Sequence, residues 1–202
     1  MSCPHPVLFS PFFPMALFRL YNKVYNAMEN VYWVCYGADP VKEKMEERDM
    51  TRTAAREIAV RLAYELGYTN ESAQSMLDRF LEPEHYTTLA QEDKLYADYP
   101  EGATMDYLRR VVLGVGEHAY ELDGYIEKYS IGWSFDRIPR VAAAIMRVAM
   151  FELLYMPEIP RRTVIHAAVR IAEHYEDERV VSFVNGILGR FLRTELPEEA
   201  DK

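Results

Sequence analysis

The segment "TRTAAREIAVRLAYELG", residues 51 to 67, carries Arg52, Arg56 and Arg61, and a second basic pair, Arg161-Arg162, follows Pro160. Guanidinium groups are permanently charged planar donors, suited to phosphate oxygens. Arg52 and Arg56 are four positions apart, which puts them on one side of a helix, opposite the Ile58 and Leu62 stripe. There they would form a phosphate-binding edge. The plainer alternative is a solvated face, with Arg56 or Arg61 paired to Glu57 or Glu65. Arg161-Arg162 sit where a helix begins, so backbone N–H groups would add to the side chains in holding a phosphate. Spacing leaves open whether the two basic groups converge.

Other chemistry is sparse. His85, His118, His166 and His174 are scattered, and no H-E-x-x-H or comparable ligand spacing occurs. Gly114-Val115-Gly116 is too short for a phosphate-cradling loop, and no G-x-S-x-G is found. Cys3 and Cys35 are the only cysteines, so neither a disulfide framework nor a C-x-x-C zinc site is available. The reading is a non-enzymatic protein of a reducing cytoplasm, with no metal and no cofactor. The net charge of −9 argues against a surface coated in nucleic acid, though not against a local basic patch.

The elements that would position these residues are helical. Ala55, Ile58, Ala59, Leu62 and Leu66 recur at the period of one buried helical face, with Thr51 as cap and Gly67 as a left-handed stop. Ser72 opens a short helix that ends before Pro83, and the tyrosine-rich stretch 83 to 103 reads as a connection holding another short helix. Thr104 caps a long helix with the stripe Leu108, Val111, Val112, Val115, Ala119, Leu122 and Ile126. Gly114 and Gly116 cost that helix about 1 kcal/mol each, which suits a place where another helix approaches closely. A strongly apolar helix runs from about Pro139 to Tyr155, a stiff turn holds Pro157 and Pro160, and two amphipathic helices follow. No stretch alternates with period two. The expected fold is all-α, a bundle of about six or seven helices.

Residues 1 to 49 differ in kind. Pro4, Pro6, Pro11 and Pro14 break an early apolar stretch that is too short to span a bilayer, and no positive charge precedes it as in a signal peptide. Met50 stands directly before the first helix, and Glu46-Glu47 imply a purine-rich codon run at the distance of a bacterial ribosome-binding sequence. The expected domains are therefore a 1–49 extension read in frame upstream of a true start at Met50, a helical domain over 50–195, and an acidic tail over 196–202. From Met50 onward 18 basic face 26 acidic side chains, a charge of −8.

"AARE" at 54 to 57 with Ala59 and Tyr64, "LGVGEHAYELDGYI" at 113 to 126, and Trp133 with Arg137 resemble the NusB family of bacterial transcription antitermination factors. So do "AIMRVAMFEL" at 144 to 153, "VIHAAVRIAEHY" at 164 to 175 and "FVNGIL" at 183 to 188. The resemblance covers 51 to about 193. It implies a compact bundle of two packed helical subdomains. It also implies binding of a single-stranded boxA-type RNA of ribosomal RNA transcripts together with the small-subunit ribosomal protein NusE. That pair joins RNA polymerase, which then reads through terminators, without a membrane. By the resemblance Arg52, Arg56 and Tyr64 lie on the family's RNA-binding first helix, and Glu158, Arg161 and Arg162 on the loop and helix start that complete the surface. Arg147 and Glu152 match the internal helix, where an inward Arg needs a carboxylate, and Asn185 and Gly186 hold the last helix against its neighbours.

Two departures stand out. Thr53 and Ala54 interrupt the dense arginine cluster common in the family, and His166-Ala167 replace its usual Asn-Glu pair. An adaptor that kept the bundle and lost RNA binding is the competing reading. An RNA-binding domain preceding a methyltransferase is a weaker one. On the phosphate-edge reading, Arg52→Ala with Arg56→Ala would lower RNA affinity and leave stability almost unchanged. The expected start is directly measurable: the intact mass of the native protein should correspond to a chain beginning at Met50, and a chain beginning at Met1 would overturn it.

Overall fold

The computed structural model describes residues 50–131, 133 and 135–197. The expected extension over 1–49, with both cysteines, and the tail beyond 197 lie outside the described residues. Among the described residues eight α-helices follow in order: α1 (Arg52–Leu66), α2 (Ala73–Phe80), α3 (Pro83–Glu92), α4 (Gly102–Glu117), α5 (Ala119–Tyr129), α6 (Arg140–Tyr155), α7 (Arg161–Tyr175) and α8 (Glu178–Glu195). Short 3-10 turns lie at Lys94–Tyr96 and Phe135–Arg137, and no strand occurs among the described residues. The all-α expectation holds.

The centre is α6, whose apolar residues are nearly all buried and which packs against α1, α4, α5, α7 and α8. A helix covered on so many sides needs apolar residues all round, as "VAAAIMRVAMFELL" supplies. On one side α1 and α2 lean on α4; on the other α5 and α7 lean on α8 or α6. These are the two subdomains, joined where α6 meets α1 and α4. The connection before α4 is pinned by the rings of Phe80, Tyr86, Tyr96 and Tyr99, whose centroids lie 4.9 to 6.0 Å apart at steep angles.

Three local expectations are corrected. Gly67 has φ −70° and is right-handed, because α1 closes through tightened bonds from Gly67 N–H to the Tyr64 carbonyl and from Tyr68 N–H to Glu65, so no left-handed residue is required. Thr104 does not cap α4, which starts two positions earlier at Gly102, where φ of +46° suits glycine. Its hydroxyl instead donates to the Met50 carbonyl at 3.2 Å, fixing the entry of the chain to α4. The long helix expected from Thr104 is two helices, broken at His118 with φ −98° and ψ 14°, immediately beyond the two glycines that weaken the ladder. Thr51 and Ser72 do cap, accepting from Ala54 and Ser75 N–H.

The glycines admit neighbours. A Cβ on Gly114 would stand 2.0 Å from Cζ of Phe151, and one on Gly116 would meet the Ala73 Cβ at 2.7 Å. The far end of the Phe151 ring therefore occupies the place that a side chain at position 114 would take. Gly114→Ala should lower unfolding free energy, because overpacking of about 1–3 kcal/mol or more exceeds the roughly 1 kcal/mol gained in helix propensity. In a Phe151→Leu background the same change should cost much less. Equal costs in the two backgrounds, measured by denaturant unfolding, would contradict this account.

Candidate nucleic-acid interface

The three arginines of α1 have three different environments. Glu152 sits on the apolar α6 with none of its surface exposed, and a carboxylate there must be fully satisfied. Arg56, 4% exposed, supplies the charge: Nε donates to Oε2 at 2.9 Å and Nη2 to Oε1 at 2.8 Å. The Tyr107 hydroxyl of α4 adds a bond to Oε1 at 2.9 Å. Burial works against the Arg56 charge, but the Glu152 bond and the Tyr107 oxygen outweigh it and its pKa is raised. Burial, then the Glu152 charge, pushes the Tyr107 phenol well above its usual range.

Arg56 is therefore not on an outer edge, which corrects the sequence reading. The reason is that α1 lies between α4 and α6, so its buried surface takes in Ala55 and Arg56 as well as the Ile58 and Leu62 stripe. Arg61 is also held inside. Its Nη1 bonds Asp93 at 2.8 Å and the Tyr96 hydroxyl at 3.2 Å, its Nη2 bonds the Tyr175 hydroxyl at 2.9 Å, and Glu57 stands 3.5 Å away. Of the alternative that set Arg56 or Arg61 on a solvated face paired to Glu57 or Glu65, the Arg61–Glu57 pairing occurs, but on a side chain only 10% exposed and not on a solvated face.

Arg52 alone of the three is exposed, its guanidinium 4.5 Å from the centre of the Tyr107 ring. One turn along α4, Arg110 is exposed too. It bonds the Tyr155 carbonyl at the end of α6 and pairs with Glu158 at 2.5 Å. Beyond Glu158, the exposed Arg161 and Arg162 open α7, with Arg161 donating to the Leu196 carbonyl at 2.8 Å. The α7 start has Pro160 in the cap position and no side-chain cap bond. Arg52 thus stands over Tyr107, one turn along α4 from Arg110, whose partner Glu158 is three positions before Arg161. Neither Arg52 nor Arg162 has a carboxylate within ion-pair reach among the described residues.

The family model that describes the NusB family matches residues 53–193. The chain belongs to the NusB family. Among its relatives, the transcription antitermination protein NusB of Acetivibrio thermocellus is 36% identical over 147 residues, covering 73% of this chain and 92% of the relative. That of Thermoanaerobacter sp. is 33% identical over 152 residues, covering 75% and 97%. Among solved structures, T. maritima NusB superposes with a TM-score of 0.55 at 24% identity, covering 73% of this chain and 94% of that one. A complex of NusB and NusE with dsRNA superposes at 0.54 with 23% identity, covering 70% and 96%. The fold is that of NusB structures.

Against this fold, the remaining site residues separate. Tyr64 lies three turns along α1 from Arg52, about 18 Å at 1.5 Å per residue, and is half-buried against Tyr68 at 4.9 Å. Burial and the Tyr68 hydroxyl raise its pKa. Arg140 covers Tyr68 at 4.3 Å, so Tyr64 belongs to the opposite end of α1. Arg147 faces Asp123, not Glu152, with bonds of 2.6 and 2.9 Å. Asn185 and Gly186 are exposed, and a Cβ on Gly186 would touch nothing, so they do not hold α8 to its neighbours. Val184, Ile187, Leu188 and Phe191 do that.

Arg110 was not singled out by the sequence. Its only signal is that it lies beside the Leu108, Val111 and Val112 stripe in the basic pair Arg109-Arg110.

The buried ion pair separates Arg56 from Arg52 in a direct test. Arg56→Ala should cost about 3–5 kcal/mol, because it strands a buried carboxylate, whereas Arg52→Ala should stay within about 0.5 kcal/mol. Arg56→Met combined with Glu152→Leu should recover most of the loss. Equal, small effects of the two single substitutions in urea unfolding would refute the assignment.

Proposed function

We propose that this NusB family member binds single-stranded boxA-type RNA along the edge formed by Arg52, Arg110, Arg161, Arg162 and the start of α7. In the family's manner it would act with the ribosomal protein NusE and RNA polymerase to promote read-through of terminators. The observation that carries this reading is that Arg52 and Arg162, where α1 and α7 begin, are both exposed with no carboxylate in ion-pair reach among the described residues of a protein with net charge −9. Unpaired cations in so acidic a chain are available to an external anion. The α7 N-terminus adds two backbone N–H groups that no side chain caps. A fold neighbour solved with NusE and RNA lends support. The acidity of the body complements a basic ribosomal protein. Glu158 fits this edge as the residue that holds Arg110 in place. Tyr64, at the far end of α1, is left for a protein partner.

The adaptor reading draws on the loss of Arg56 and Arg61 to internal bonds, which leaves few cations on α1. Salt dependence decides between them. On single strands the log of affinity falls with log salt by about 0.7 per neutralised phosphate. Arg52→Ala with Arg162→Ala should weaken binding to a boxA-like RNA, assayed with and without NusE, and flatten the slope by roughly 1.4. An unchanged affinity and slope would favour the adaptor.

A further inference from the structure

We infer that the paired rings of His118 and Tyr155 form a platform on which one unpaired RNA base stacks, beside the arginine edge; this rests on the RNA-binding reading above. The two rings lie 4.3 Å apart with planes 31° from parallel. Beneath them the buried Phe151 stands 5.1 Å from Tyr155 at the same 31° and 6.1 Å from His118. The layer is anchored in the core through the space left by Gly114, and its outer members reach solvent, with the His118 side chain 30% exposed.

The pair is also fixed in orientation. Glu121 Oε2 lies 2.9 Å from His118 Nδ1 and accepts from the Tyr155 hydroxyl at 2.7 Å, while that hydroxyl is 3.1 Å from the same Nδ1. The Glu121 bond, followed by burial, pushes the Tyr155 phenol up to about 12, so it stays a donor in neutral solution. Glu121 is thus a positioning residue. Rings held in advance lose little freedom when a ligand stacks on them.

Two features select a base over a phosphate. Glu117 and Glu121 act on the Tyr155 hydroxyl, so the platform itself disfavours an anion. The backbone carbonyl of Tyr155, however, is held by Arg110. A strand with a phosphate near Arg110 would therefore have its neighbouring base beside the rings. Aromatic faces stack any base, and removing one such contact costs on the order of tenfold in affinity.

The test uses the full chain and a boxA-like RNA, intact or with a single abasic residue placed at successive positions. Tyr155→Leu and, independently, His118→Ala should each bind intact RNA about tenfold more weakly than wild type, with the salt slope unchanged. For wild type one abasic position should cost a similar factor, and at that position the variants should lose little more. Tyr155→Phe, which keeps the ring, should bind within about threefold of wild type. Folded variants that bind intact RNA like wild type, or that lose equally at every abasic position, overturn the platform while the RNA-binding reading stands. A wild-type chain that binds no RNA at low salt overturns both.

Discussion

A single carboxylate inside the bundle sets the positions of three helices. Glu152 projects from the most apolar helix with none of its surface exposed, and the charge is tolerated because Arg56 of α1 meets it with two parallel bonds and Tyr107 of α4 completes the set. Such a pair is weak evidence of net stability, since apolar replacements of similar volume often do as well. Its value is directional. Forked bonds fix the register of α1 along α6, and the phenol fixes the turn of α4 that stands opposite. Once that register is set, Arg52 emerges one turn before Arg56 on the outside, over the ring of the same Tyr107.

The remaining cations follow the same division between internal and external work. Arg61 ties α1 to Asp93, Tyr96 and Tyr175, bridging the turn at Lys94–Tyr96 and α7; burial works against its charge, but those oxygens outweigh it and leave its pKa raised. Arg147 ties α6 to α5 through Asp123. Arg79 is shared by Glu65 and Glu71. Among the exposed cations without a carboxylate partner among the described residues, Arg52, Arg161 and Arg162 stand where α1 and α7 begin. An acidic protein can therefore carry a small basic edge where Arg52, Arg161 and Arg162 meet no carboxylate in ion-pair reach among the described residues.

Much of this was legible in the sequence. Helix positions followed from the spacing of Ile58, Leu62, Leu108, Val111 and the long apolar run of α6, and the two glycines in α4 announced a close approach that Phe151 makes. Periodicity could not distinguish Arg52 from Arg56. Both lie off the first apolar stripe, and only the second covering helix, packed by residues a hundred positions away, turns one of them inward. The break at His118 was hidden for a similar reason: the apolar stripe continues in phase across it. Asn185 and Gly186 stood in a motif whose spacing identifies the family, yet spacing says nothing of which side of α8 faces water.

The grip of Arg110 on Glu158 bears on how an anion would be received at this edge. A free guanidinium is surrounded by mobile ions from solution, and their release on binding is what makes affinity fall with salt. Arg110 instead already has an anion attached to the protein. A phosphate arriving there takes part in an exchange: one oxyanion replaces another, and the displaced carboxylate must gather cations from solvent. Such a contact positions the strand while leaving almost no trace in the salt dependence, so the number of phosphates touched would exceed the number that titration with salt counts.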